Sequence, residues 1–309
     1  MTETALGWWG VPLAVFAGAM RSSTPFLFVS LGELLTEKSG RINLGQEGIL
    51  VLGAMCGYGV AFLSGSPWLG VLVAGCAGAV LGSLHAALCS LPRVNDIALG
   101  IAVMLFGTGL AFYLGKPFIQ PQAPRLPAIP FGWWSSVPQV QAALQVNVLF
   151  LLGAGLAPVL AWGLTHTRWG LIIQTVGDSA DAARALGYSV HRVRWAATAL
   201  GGFLAGVGGS FLSLYYPGSW NEGLSSGQGL MAVALVIFAR WQPVSCFGAA
   251  LLFGGAGALG PALQSVGITQ GYYLFNAAPY VLTLALMICT SAPQQRLAGA
   301  PGELGVSND

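Results

Sequence analysis

The feature that most constrains this chain is a succession of apolar stretches, each about the length of a bilayer crossing. Gly48–Ser64, Trp68–Leu91, Ile97–Gly115, Val146–Leu164, Trp195–Tyr216, Val244–Leu263 and Tyr272–Thr290 are such stretches. A helix needs about 20 apolar residues to traverse the hydrocarbon core. Two further runs are irregular. Leu6–Leu35 holds Arg21 and Pro25, and reads either as one long span or as two short pieces. Gly227–Ala239 has only 13 residues, too few for an ordinary crossing unless the preceding "GSWNEGLSS" also enters the membrane. The expected fold is an all-α polytopic bundle of eight or nine spans, ten if the N-terminal run folds twice.

Composition excludes the alternatives in water. Only 7% of the residues are charged, against roughly 25% in soluble domains, and the mean hydropathy is +0.72. A formal net charge of +2 leaves no nucleic-acid footprint. The polar start "MTET" lacks the basic region of a cleavable signal peptide. Cys56, Cys76, Cys89, Cys246 and Cys289 form no CxxC pair; they read as small buried hydrophobes. No linker divides the chain, so residues 1–291 are expected to form one transmembrane domain, with 292–309 a largely disordered cytoplasmic tail.

Positive charge orients membrane proteins. With the loop 165–194 placed in the cytoplasm, alternation puts Lys38, Arg41, Arg93, Arg168, Arg184, Arg192, Arg194, Arg240 and Arg296 inside, and Lys116 and Arg125 outside. The proline-rich segment ending in Trp133 and Trp134 is then external.

Within the loop, Asp178 reads as an N-cap with Asp181 as its capping-box partner. "SADAARA" favours a two-turn helix, and Gly187 suits the left-handed position that ends it. Ala182, Ala183 and Ala185 give this helix a small-residue face. It is suited to docking into a partner's groove, or else to resting on lipid headgroups.

"VGDSADAARALGYSVHRVRWAATALGGFLAGVGGS" resembles the coupling segment of permease subunits of bacterial ATP-binding-cassette importers, in the nucleoside and simple-sugar branch. "LGELLTEKSGRINLGQEGILVLGA" and "GQGLMAVALVIFARWQP" are similar to that branch at two more places, so the likeness runs from about Leu31 to Pro243. The first is closer to purine-nucleoside permeases than to the ribose type. The resemblance implies a type II importer fold in a bacterial cytoplasmic (inner) membrane. It implies Asp178, Asp181, Ala182, Ala183, Arg184 and Gly187 at the contact with an ATPase subunit. It also implies a second permease subunit and an extracytoplasmic solute-binding protein. The chain lacks a GxxxxGK[ST] phosphate loop, so ATP and Mg are expected on the partner ATPase and no cofactor on this chain.

The stretch "NLGQEG" carries a second signal. Asn43 can cap a helix and Gln46, three residues on, can reach back to the Asn43 amide. Ser225-Ser226-Gly227-Gln228 repeats the pattern before another apolar run. By alternation the two helices start from opposite sides. Glycine-interrupted helix starts of opposite sense surround the solute site in inverted-repeat transporters, and simple helix starts are the plainer reading. On the first reading, Asn43, Glu47, Asn221, Glu222 and Gln228 line the pathway, with Trp220 as a stacking surface. His85 reads as a packed histidine bonded to a carbonyl, and Asn95-Asp96 as a cap.

The expected function is import of a small polar solute, nucleoside or nucleobase first, by alternating access. A simple sugar, riboflavin or a branched-chain amino acid remains open as the solute. A stand-alone secondary transporter would want an ionisable relay within its spans, of which the chain offers little beyond His85. An enzyme would want a metal or nucleophile motif, and neither HExxH nor GxSxG occurs.

Overall fold

The computed structural model describes residues 10–119, 121–264, 266–267, 271, 275, 277–290 and 299–305. Twelve α-helices are described: α1 (Gly10–Lys38), α2 (Gln46–Ser64), α3 (Pro67–Leu88), α4 (Asp96–Gly115), α5 (Pro138–Ala143), α6 (Val148–His166), α7 (Arg168–Asp178), α8 (Ala180–Ala185), α9 (Val190–Leu214), α10 (Gln228–Phe238), α11 (Pro243–Gln264) and α12 (Ala278–Thr290). Seven of them, α1, α2, α3, α4, α6, α9 and α11, are long and apolar enough to cross a membrane. Among the described residues, the one departure from an all-α bundle is a short antiparallel pairing of Ala128–Pro130 with Gln145–Asn147. It lies in the proline-rich segment, where Trp133 and Trp134 are exposed.

From Gly10 onward the N-terminal run is a single helix despite Pro25. Proline removes one intrahelical bond. In the turn before it, the Ser23 and Thr24 hydroxyls both donate to the Met20 carbonyl, at 3.2 and 3.0 Å. Asn95 Oδ1 accepts from the Ile97 and Ala98 amides, at 2.9 and 3.0 Å, as expected of a cap. His85 is buried with Nε2 3.5 Å from the Asp96 carbonyl. Of the four cysteines whose side chains are described, Cys89 and Cys246 are buried. Cys76 is exposed and Cys56 half-buried, so the reading as buried hydrophobes is corrected for these two.

At the centre, α9 packs against α3, α2 and α1, and α11 lies along α1. These helices touch backbone to backbone. A Cβ on Gly32 or on Gly201 would overlap the other residue's carbonyl, and Gly78 and Gly202 stand in the same relation. Close approach of this kind substitutes for the hydrophobic drive that helices lack in lipid.

The contacts separate the two ends. Lys38 Nζ donates to the Gly299 carbonyl, Arg194 Nε to that of Ser39, and Gly299 faces the carbonyl of Arg240. These basic residues therefore gather at the end that carries α7 and α8. Arg125 sits at the other end beside Gly218, where the Leu126 amide donates to Leu214 O.

Candidate functional site

Two helix starts meet inside the bundle. The turn after α1 passes through Gly40 at φ +83, a conformation glycine adopts without strain, and sends Arg41 to Asp96 in an ion pair of 2.6 Å. The chain then climbs along α4. A Cβ on Gly45 would meet Val103, and one on Gly48 would meet the Met104 backbone. Met104 lies about 12 Å along α4 from Asp96 and about 16 Å short of Gly115, at 1.5 Å per residue. The start of α2 is thus well inside the bundle.

Amides that start a helix lack intrahelical acceptors. The expected capping box is corrected here. Asn43 Oδ1 does accept from the Gly45 amide at 2.9 Å. Gln46, however, does not reach back to Asn43; its Nε2 donates to Glu33 Oε2 at 2.6 Å. The Asn43 amide donates to Glu33 Oε1 at 2.7 Å. Glu33, fully buried on α1, has taken the role assigned to Gln46.

Glu47 performs the same service for the second helix. Its Oε1 accepts from Ser225 Oγ at 2.5 Å and from the Gly227 amide at 3.1 Å; its Oε2 accepts from the Gly229 amide at 2.6 Å. α10 therefore begins against the first turn of α2. From there it runs to Phe238, and in the turn beyond it the Trp241 indole Nε1 donates to Glu37 Oε2 near the end of α1. α2 runs the other way, and its Tyr58 hydroxyl donates to the Pro121 carbonyl at 2.8 Å. The two short starts are joined by one carboxylate and point in opposite senses.

Three polar atoms near this junction are buried without a protein partner: Asn43 Nδ2, Gln46 Oε1 and Gln228 Oε1. The bonds to Gly45 and Glu33 set which way the first two amides face. One donor and two acceptors are left over.

Other assigned residues lie elsewhere. Trp220 is 1% exposed, its indole covering Gly115, so its assignment as a stacking surface is corrected: its faces are packed. Asn221 and Glu222 are exposed in the turn before α10. Sequence reasoning missed Glu33, Glu37 and Trp241. Two glutamates one helical turn apart within an apolar run were the available signal.

At the α7–α8 end, the cap of α8 is Ser179, whose Oγ accepts from the Ala182 amide at 3.2 Å; Asp178 is the last residue of α7, which corrects its reading as the cap. Asp181 pairs with Arg184 at 2.6 Å on the exposed side, rather than completing a capping box. Gly187 takes the left-handed conformation at φ +84, as expected. Ala183 is fully buried against Val176, Ala180 and Val190. It anchors α8 and is not on its outer face. That face is formed by Asp181, Ala182, Arg184, Ala185, Leu186 and Tyr188, all exposed.

Among the described residues, no three His, Cys, Asp or Glu side chains come together to hold a metal ion.

Residues 15–291 match the family described as branched-chain amino acid transport system / permease component. The chain belongs to that family. A Haloferax volcanii protein provisionally named a glucose ABC transporter permease is 34% identical, over 81% of this chain and 77% of its own length. The nucleoside ABC transporter permease protein NupC of Lactococcus lactis is 30% identical, over 88% and 90%. The guanosine ABC transporter permease protein NupQ of Bacillus subtilis is 28% identical, over 85% and 87%. No solved structure matches the chain. The protein is thus a multi-pass permease of the ATP-binding-cassette type, a transport component rather than an enzyme.

Proposed function

We propose that the permease forms half of the membrane pathway of a nucleoside importer, and that the junction of α2 and α10 is its solute gate. The observation that carries this is the Glu47 clamp. One carboxylate inside the bundle holds the start of a half-length helix by three hydrogen bonds. In hydrocarbon each of these donors needs a partner, at several kcal/mol apiece. The clamp therefore opens only when something else satisfies them. A solute rich in hydroxyls, amides and ring nitrogens can do so, and the orphaned Asn43 donor and the Gln46 and Gln228 acceptors offer it a mixed hydrogen-bonding edge.

A nucleoside fits this inventory, since its base edge alternates donors and acceptors and its ribose supplies hydroxyls. The names of the two nucleoside relatives support the same class. A simple sugar is the second reading, favoured by the glucose relative. In this reading Asn221 and Glu222, exposed in the turn before α10, would be among the residues that meet incoming solute.

In this reading the arginine-rich end faces the cytoplasm of a bacterial inner membrane and the C-terminus lies on that side. The outer face of α8, including Ala182 and Arg184, docks on an ATPase subunit that binds ATP and Mg. A second permease completes the pathway. Proteoliposomes containing the permease, its ATPase and its second permease test this directly. With the binding protein present, they should accumulate tritiated guanosine in an ATP-dependent way, and labelled glucose poorly. Accumulation driven by an ion gradient in the absence of ATPase would overturn the reading.

A further inference from the structure

Residues 299–305, expected to belong to a disordered tail, close in a 3-10 turn at Gly302–Gly305 against α7, with the Glu303 side chain reaching α8 and α9. Pro301 is buried, and Ala300 and Leu304 pack on the main core. Gly302 sits against the Asp178 carbonyl with no room for a side chain.

Glu303 makes the decisive contacts. Its Oε1 accepts from the Ala180 amide at 2.8 Å, at the first residue of α8, and its Oε2 meets Arg194 Nη2 at 3.1 Å. The same guanidinium donates through Nε to the Ser39 carbonyl at 3.1 Å. Ser39 lies in the turn from which the chain rises through Arg41 and Asn43 to the Glu47 clamp. Lys38 adds a second tie, donating to Gly299 O at 3.3 Å.

A six-residue helix is too short to hold itself. α8 rests on a small apolar contact of Val176, Ala180, Ala183 and Val190 and on this carboxylate. The Arg194 side chain is 9% exposed and that of Glu303 20%. A charge-assisted pair so placed is stronger than an exposed one.

We propose that residues 299–305 form a strap that couples α8 mechanically to the α1–α2 turn, with Glu303 and Arg194 as its positioning residues. The strap rests on the reading of α8 as the ATPase-docking helix. Load applied to α8 then passes through Glu303 and Arg194 to Ser39 and on to the start of α2, instead of bending α8 alone.

The test uses the full importer in nanodiscs, its native cysteines replaced. Spin labels are placed at Ala185 on α8 and Leu63 on α2, both exposed. With Glu303 intact, trapping by ATP and vanadate should leave the label distance within about 2 Å, because the two elements move together; with Glu303→Gln it should change by about 5 Å or more. An identical nucleotide response in the two proteins overturns the strap. A companion variant, Leu186→Asp, addresses the docking reading itself. If it still co-purifies with ATPase at full stoichiometry, docking through α8 fails. If it loses the ATPase while Glu303→Gln responds like the parent, the strap alone falls.

Discussion

Glu47 in the first turn of α2 accepts the backbone amide of Gly229 in the first turn of α10 at 2.6 Å. The two residues are 182 positions apart in the chain, and this bond fixes where the second helix begins. Because Ser225 and Gly227 share the same carboxylate, its removal strands three donors away from water. Glu47→Ala should cost at least about 3 kcal/mol of stability, given roughly 1–3 kcal/mol for each buried group left unpaired, and should lower uptake at least about tenfold. Glu47→Gln, which keeps one acceptor oxygen, should fall between. Thermal unfolding in detergent and transport in proteoliposomes measure the two effects; parent-like behaviour of Glu47→Ala in both would remove the clamp.

Glu33 presents a different case, since the hydrogen bonds it accepts come from Asn43 and Gln46 at the approach to α2. Glu33→Leu leaves the Asn43 amide and the Gln46 side chain without acceptors. A loss of about 2–4 kcal/mol follows from two unsatisfied buried donors. Protease sensitivity of the 39–46 turn should rise with it. Unchanged protection would show that water or another group takes over.

The burial of Ala183 separates two outcomes that a view of α8 as one docking face would merge. Ala183→Asp buries a charge among Val176, Ala180 and Val190, so it should lower the amount of folded permease. Leu186→Asp changes an exposed side chain, 66% accessible; it should leave folding intact and reduce ATPase co-purification about tenfold or more, as losses at interface hot spots do. Size-exclusion profiles and pull-down together distinguish them.

Close helix contact gives the last prediction. Gly201→Leu has no space against the Gly32 backbone, and should destabilise by about 3 kcal/mol or prevent folding. Gly155, on α6, has nothing within 4 Å of a Cβ. Gly155→Ala should therefore be silent in the same expression and melting assays.

How much could be read in advance differs between these residues. His85 and Asn95 needed only local rules, because a packed histidine and an Asx cap bond within a few residues or to the next helix. The α8 helix was legible too, through its alanines and Gly187, although its cap is one residue later than Asp178. Glu33 escaped notice because its partners are ten and thirteen positions away across a turn. Trp220 was misjudged since an indole beside polar residues reads as a ligand surface until its cover, Gly115, is known.

Hydropathy by itself determined that this protein is a membrane bundle, where most of its spans run and which end gathers the basic residues. Those properties depend on transfer of short segments into lipid, a cost summed over neighbouring residues. Only the tertiary structure decided that Glu47 caps α10, that Glu33 holds the Asn43 amide and the Gln46 side chain at the approach to α2, and that Glu303 ties α8 to Arg194. In the bilayer the backbone polar groups must find their partners within the protein, and which partner stands in reach is set by helices in contact through glycines such as Gly32 with Gly201 and Gly78 with Gly202.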